Sequence, residues 1–199
     1  MKKLLFILCL LISVKSAFGQ ASDNNSLFIK LLQESAEKSD SLLQSNFIKT
    51  FDLKFDSNER FQYYGSILNQ YFLNKGYQIT QGKEDADNKL LFNLISFDIK
   101  YGEPEKESFF GDLMIKRNMS LKTVQTLNKK DSPLSSITFN AVKEDTLLYD
   151  EASEFENSGS FPVRNHLPSA PIFSNLLEPI LAVGSIGIVI ILFFTVRSN

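Results

Sequence analysis

The chain of 199 residues carries one cysteine, one histidine and no tryptophan. Zinc sites draw on several His or Cys ligands, and one of each cannot supply them. The lone histidine, His166, sits among prolines in a segment with no periodicity. A Ser-His-Asp triad needs an imidazole held rigid by a buried acid, and a linker of that kind does not provide one. With no tryptophan there is no indole platform for a sugar ring. No glycine-rich phosphate loop occurs. Neither charge sign dominates, with 21 basic against 23 acidic residues, so a nucleic-acid partner is not expected.

Long apolar runs are few, and they stand at the two ends. Met1-Lys2-Lys3 is basic, Leu4 to Val14 is uncharged and apolar, and Ala17-Phe18-Gly19 presents small residues before Gln20. Those are the three parts of a secretory signal peptide; a retained signal anchor is the other reading. The cysteine, Cys9, lies inside the apolar run, whereas a lipoprotein signal would place one where Gln20 stands. Cleavage after Gly19 would remove Lys2, Lys3 and Lys15 and no acid, taking the net charge from −2 to −5. The mature chain would then hold no cysteine, hence no disulfide and no thiolate chemistry.

Pro179 to Val196 is eighteen residues without a charge. As a helix it would extend about 27 Å at about 1.5 Å per residue, close to a hydrocarbon core. Glu178 precedes it and Arg197 follows. The order of the two apolar segments predicts a single-pass type I protein, with membrane lipid around residues 179–196. The domain is then periplasmic or extracellular and 197–199 cytoplasmic, with a bacterial inner membrane preferred. Ser158-Gly159-Ser160 ahead of an apolar tail also resembles a lipid-anchor signal, and Glu178-Pro179 with Arg197 loosely resembles a sortase-type tail. Asn157 to Pro171 contains Pro162, Pro168 and Pro171 and reads as the start of an extended stem, able to lift the domain some 40 Å at about 3.1 Å per residue. The expected division is therefore 1–19 signal peptide, 20–156 domain, 157–178 stem, 179–196 transmembrane helix and 197–199 tail.

Between the ends, Leu27, Phe28, Leu31 and Leu32, then Leu42 and Leu43, mark an amphipathic helix over 26–44 with a polar middle. Phe47, Lys49, Phe51, Leu53 and Phe55 alternate with Ile48, Thr50, Asp52 and Lys54 as a strand. Asp56 and Glu59 form a capping pair for a helix running to Lys75 and stopping at Gly76, with Phe61, Tyr64, Leu68, Tyr71 and Phe72 inward. Short strand 77–80 and long strand 89–101 follow, the latter with Leu91, Ile95, Phe97, Ile99 and Tyr101 largely on one face. A strand or bulged pair over 109–127, a last strand at Ile137, Phe139 and Ala141, and a closing helix over 145–155 complete the domain. The order predicts an α+β two-layer sandwich: a mixed, mostly antiparallel sheet with helices on one face.

Leu68, Phe72 and Gly76 ending a helix, then Ala86-Asp87 entering the strand Leu90 to Tyr101, resemble a group of small envelope domains. These are the lipopolysaccharide-assembly lipoproteins, the auxiliary lipoproteins of ABC transporters, and the periplasmic domains of curli-export and TolB proteins. The resemblance covers Phe47 to Val142 and implies an accessory, protein-binding role. This chain departs from the group in having an apolar carboxy-terminal segment in place of a lipidated cysteine.

No residue is assigned a catalytic, cofactor-binding or metal role. Glu84-Asp85-Ala86-Asp87-Asn88 lacks the twelve-residue calcium-loop pattern and its closing glutamate, and reads as a solvated turn. Glu144, Asp145, Asp150, Glu151, Glu154 and Glu156 read as the wet face of the closing helix. Phe109-Phe110 beside Gly111 is a candidate contact surface. The function expected is non-catalytic binding of another envelope protein, with no cofactor; homo-oligomerisation stays open. The alternatives are a carboxylate-dependent hydrolase, for which Asp85 and Asp87 are a test pair, and a ligand sensor.

Overall fold

A computed structural model describes residues 21–80, 82, 86–106, 108, 111–130, 132–159, 161–171 and 177–197. The expected signal peptide, Glu84-Asp85 and Phe109-Phe110 lie outside the described residues. The elements in chain order are α1 (Asn24–Ser45), β1 (Thr50–Asp56), a 3-10 turn (Glu59–Phe61), α2 (Tyr64–Asn74), β2 (Gln78–Ile79), β3 (Asn88–Tyr101), β4 (Glu105–Lys106), β5 (Leu113–Lys129), β6 (Ser132–Leu148), α3 (Tyr149–Asn157) and α4 (Leu177–Arg197). The class is α+β with a mixed sheet, as expected.

Helix α1 starts at Asp23, whose carboxylate accepts the Ser26 amide hydrogen at 2.8 Å, a standard N-cap. It buries Leu27, Phe28, Leu31, Leu32, Ala36, Leu42 and Leu43 on one side. Its polar middle is buried too. Gln125 donates to Ser35 and to Thr123 from β5, and Tyr77 donates to Asp40. The chain leaves α1 through Phe47, which takes φ +56 and is 92% exposed. The Phe47 amide bonds the Gln44 carbonyl and the Ile48 amide that of Leu43, which closes the helix. The strand alternation expected from Phe47 therefore begins only at Thr50, and it is Ile48 that is buried.

Asp56 ends β1 instead of capping a helix. Asn58 caps the 3-10 turn, and α2 begins at Tyr64. It ends as expected, at Gly76 with φ +85, and Tyr64, Leu68 and Phe72 are buried. β1 pairs parallel with β2 and with β3, so α2 is the crossover of a β-α-β unit. β3, β4 and β6 each pair antiparallel with β5. The order is β2-β1-β3-β5-β4, with β6 on the other side of β5.

A bulge between Leu94 and Ser96 shifts the β3–β5 register. One extra residue reverses which parity faces the core. Leu90 and Phe92 point inward before it and Ile99 after it, while Ile95 itself is 55% exposed. The single face expected for Leu91, Ile95, Phe97, Ile99 and Tyr101 is thus corrected: Leu91 and Ile95 belong to the outer face.

β6 runs to Leu148 and α3 is only nine residues long, against a short strand and a helix from 145. Leu147, on the strand, and Ala152, on the helix, are both buried. The acidic run is correspondingly divided. Glu144 and Asp145 lie on β6, and Glu156 is buried at 7% exposure. The segment after α3 also departs from an extended stem. Phe161 is buried in a ring cluster with Phe28, Phe61 and Phe97, Leu167 packs against the Ile115, Leu147 and Ala152 cluster, and the Tyr149 hydroxyl donates to the Pro168 carbonyl at 2.8 Å. Residues 161–168 form a strap on the domain.

Helix α4 spans Leu177–Arg197. Among the described residues no helix is long and apolar enough to cross a membrane. The expected transmembrane span over 179–196 is therefore not supported by the structure.

Candidate functional site

β6 alternates strictly. Ile137, Phe139 and Ala141 are half-buried against the core, whereas Ser136, Thr138, Asn140 and Val142 are exposed. Among the described residues β6 pairs with β5 alone, along its whole length from Met114↔Leu148 to Lys129↔Ser132. Among those residues nothing pairs with its second edge. Natural sheets blunt such edges with charges, proline or shortness. Here the seventeen-residue edge has Pro133 near its start and no charge from Ser132 to Val142.

The outer face of the sheet adjoins this edge. Across it, register aligns Asn93, Val124 and Thr138, then Ser96, Lys122 and Asn140, then Asp98, Ser120 and Val142. At its far end a hollow of about 420 Å³ is lined by Lys100, Gly102, Lys116, Asn118, Glu144 and Thr146, among others. Asn118 donates to Glu144 at 2.7 Å, and Lys100 lies 3.5 Å from Asp98. Asp145 also borders it. Successive residues on a strand point to opposite faces, so Glu144 and Asp145 do not form a facing acid pair.

Behind this end of the sheet lies a buried polar cluster that the sequence reading missed. Arg117 is wholly buried on the inner face of β5. Its Nε donates to Asp145 at 2.9 Å, Nη1 to Asn24 at 2.6 Å and Nη2 to the Ser22 carbonyl at 2.8 Å. Nη2 also pairs with Asp145, and the guanidinium lies 5.8 Å from the Phe155 ring centre. Glu156 accepts from Asn24 at 3.0 Å, from the Tyr101 hydroxyl at 2.8 Å and from the Asn165 amide at 2.8 Å. Burial first, and Glu156 in addition, push the Tyr101 hydroxyl up to about 12. Paired in this way, the charges tie α1, β5, β6, α3 and the strap together. A signal was available: Ile115, Arg117, Met119 and Leu121 share one parity, and a lone arginine on an apolar face demands a buried acid.

His166 is exposed on the strap. Asp87 lies in the turn before β3, where its carbonyl accepts from Lys130; its expected pair, Asp85, is outside the described residues. Among the described residues no group of three His, Cys, Asp or Glu side chains is arranged to hold a metal.

No family model and no curated protein sequence matches the chain. Among solved structures it is similar to a minor lipoprotein of Acinetobacter baumannii (8% identity, TM-score 0.35, 53% of this chain and 69% of that one). It is also similar to the rare lipoprotein B of Shewanella oneidensis (9%, 0.34, 49% and 68%). A third likeness is to a homologue of neuraminyllactose-binding hemagglutinin from Helicobacter pylori (14%, 0.32, 51% and 66%). The first two of these structures are of bacterial lipoproteins.

Proposed function

We propose that this chain is a non-catalytic, protein-binding module of a cell envelope, secreted by its amino-terminal segment and held to a membrane as a type I protein by residues 179–196. Another protein then adds a strand to β6. The observation that carries this reading is the free edge of β6, uncharged from Ser132 to Val142. Strand addition takes its affinity from main-chain hydrogen bonds and its specificity from alternate side chains. Such an edge offers both. The anchoring half of the proposal rests on sequence: eighteen consecutive uncharged residues between Glu178 and Arg197, and an apolar leader with a small-residue exit.

Native cysteine is confined to Cys9, which makes the edge easy to probe. In a Cys9→Ser chain, single cysteines at Thr138 or Val142, on the edge, and at Leu73, on α2, are exposed to a short thiol crosslinker in native membranes. Adducts with protein are expected from the two edge positions and not from Leu73. Capture from Leu73 with silence at both edge positions would remove the edge from the proposal.

A further inference from the structure

We infer that the strand added to β6 is β6 of a second copy of this chain, paired antiparallel about a two-fold axis at Asn140. This rests on the edge-binding reading and names its partner. A two-fold axis perpendicular to a sheet brings together residues that share a face, so the axis must pass through one residue of the strand. Asn140 is the midpoint of Ser132–Leu148, and only that centre pairs the strand from end to end. Centres at Lys143 or Glu144 would set like charges against each other, which is unfavourable.

In the Asn140 register every charged residue of the strand falls opposite an uncharged one. Each acid meets a hydroxyl: Glu144 faces Ser136 of the other copy on the outer side, and Asp145 faces Ser135 on the inner side. Lys143 lies opposite Ile137, Thr138 opposite Val142, and Phe139 opposite Ala141. At the axis two Asn140 amides face each other, each able to donate and accept. No like charges are juxtaposed. The inner-side residues Ile137, Phe139 and Ala141 are half-buried already, so pairing would close over the remaining apolar edge of the core.

The same symmetry suits a membrane. Two copies anchored in one bilayer can be related only by a two-fold axis along the membrane normal, which lays the joint sheet parallel to the bilayer. The strap leaves the domain on the helix side, where Phe161 meets Phe28 and Leu167 meets Ala152. Both chains then descend from that side, and the largely polar outer face looks away from the membrane.

The test uses the full chain with Cys9→Ser, in membranes. Opposed residues of an antiparallel pair have Cα atoms about 4.5–5.5 Å apart, within disulfide range. Asn140→Cys should oxidise to a homodimer, and Leu73→Cys should not. Thr138→Lys with Val142→Lys places two Lys–Lys pairs across the axis and should reduce the dimer several-fold. Thr138→Lys with Val142→Glu places two Lys–Glu pairs there and should retain it. All four variants sit at exposed positions, and thermal melts check that they fold. If Asn140→Cys links to a different protein and not to itself, or the two charge variants dimerise equally, the self-pairing is wrong and the edge-binding reading stands. If cysteines at 138, 140 and 142 link to nothing, both fail.

Discussion

Two helices end with the same pair of hydrogen bonds, one over Gly76 and the other over Phe47. Tyr77 bonds the Phe72 carbonyl after Gly76, as Ile48 bonds that of Leu43 after Phe47. Glycine takes a positive φ freely, whereas a side-chain-bearing residue pays about 1–2 kcal/mol. Phe47 is exposed and makes no buried contact to lose. Phe47→Gly should therefore raise stability by about 0.5–1 kcal/mol after the flexibility of glycine in the unfolded chain is counted, seen as a higher Tm. Arg117 is the opposite case. Arg117→Lys keeps the charge but cannot span Asp145, Asn24 and Ser22 with one ammonium, so a loss of about 3–5 kcal/mol is expected in urea unfolding. Tyr101 sets a pH dependence. Its hydroxyl holds its proton to about pH 12 when folded, against about 10 when unfolded. Its contribution is complete below about pH 10, and stability falls as pH rises from there toward 12. Tyr101→Phe should make that alkaline decline shallower in a series of urea midpoints.

At the scale of elements, the bulge in β3 decides which substitutions matter. Ile95→Lys should change stability by no more than about 0.5 kcal/mol, whereas Phe92→Lys, at a fully buried position, should cost several; thermal melts separate the two. Periodicity made much of the fold legible. α1, the end of α2 at Gly76, and the long strands stand close to where their apolar spacing puts them, and the α+β class follows from their order. The misplacements have a common physical origin, in that local spacing does not register a non-local partner. Nothing near Ile95 announces an extra residue. The 145–155 stretch has helical spacing of its own, yet Asp145 is claimed by Arg117 from another strand. Phe161 looks like a linker aromatic until Phe28, Phe61 and Phe97 surround it. The free edge of β6 was not legible either, because edge status depends on what fails to pair with the strand.

For the whole molecule, the proposed anchor and the proposed edge have separable duties. Membrane tethering raises the effective concentration of edges that meet one another and asks nothing of the span's own side chains. Exchanging Pro179–Val196 for an unrelated apolar span of equal length should leave Asn140→Cys crosslinking intact. Release of the domain by truncation before Pro179 should reduce it at equal protein level, on non-reducing gels.

The seating of the strap fixes how a mechanical load would travel. Tension applied through the residues after Pro171 arrives first at the Tyr149 bond to the Pro168 carbonyl and the Glu156 bond to the Asn165 amide, one after another. It reaches the ring of Phe161 only when those have parted, and the long β5–β6 ladder later still. Loaded in series, weak links yield in turn, so a pulled domain would first pay out slack chain and keep its sheet whole. The strap would act as a fuse between a pulled carboxy-terminal segment and the sheet.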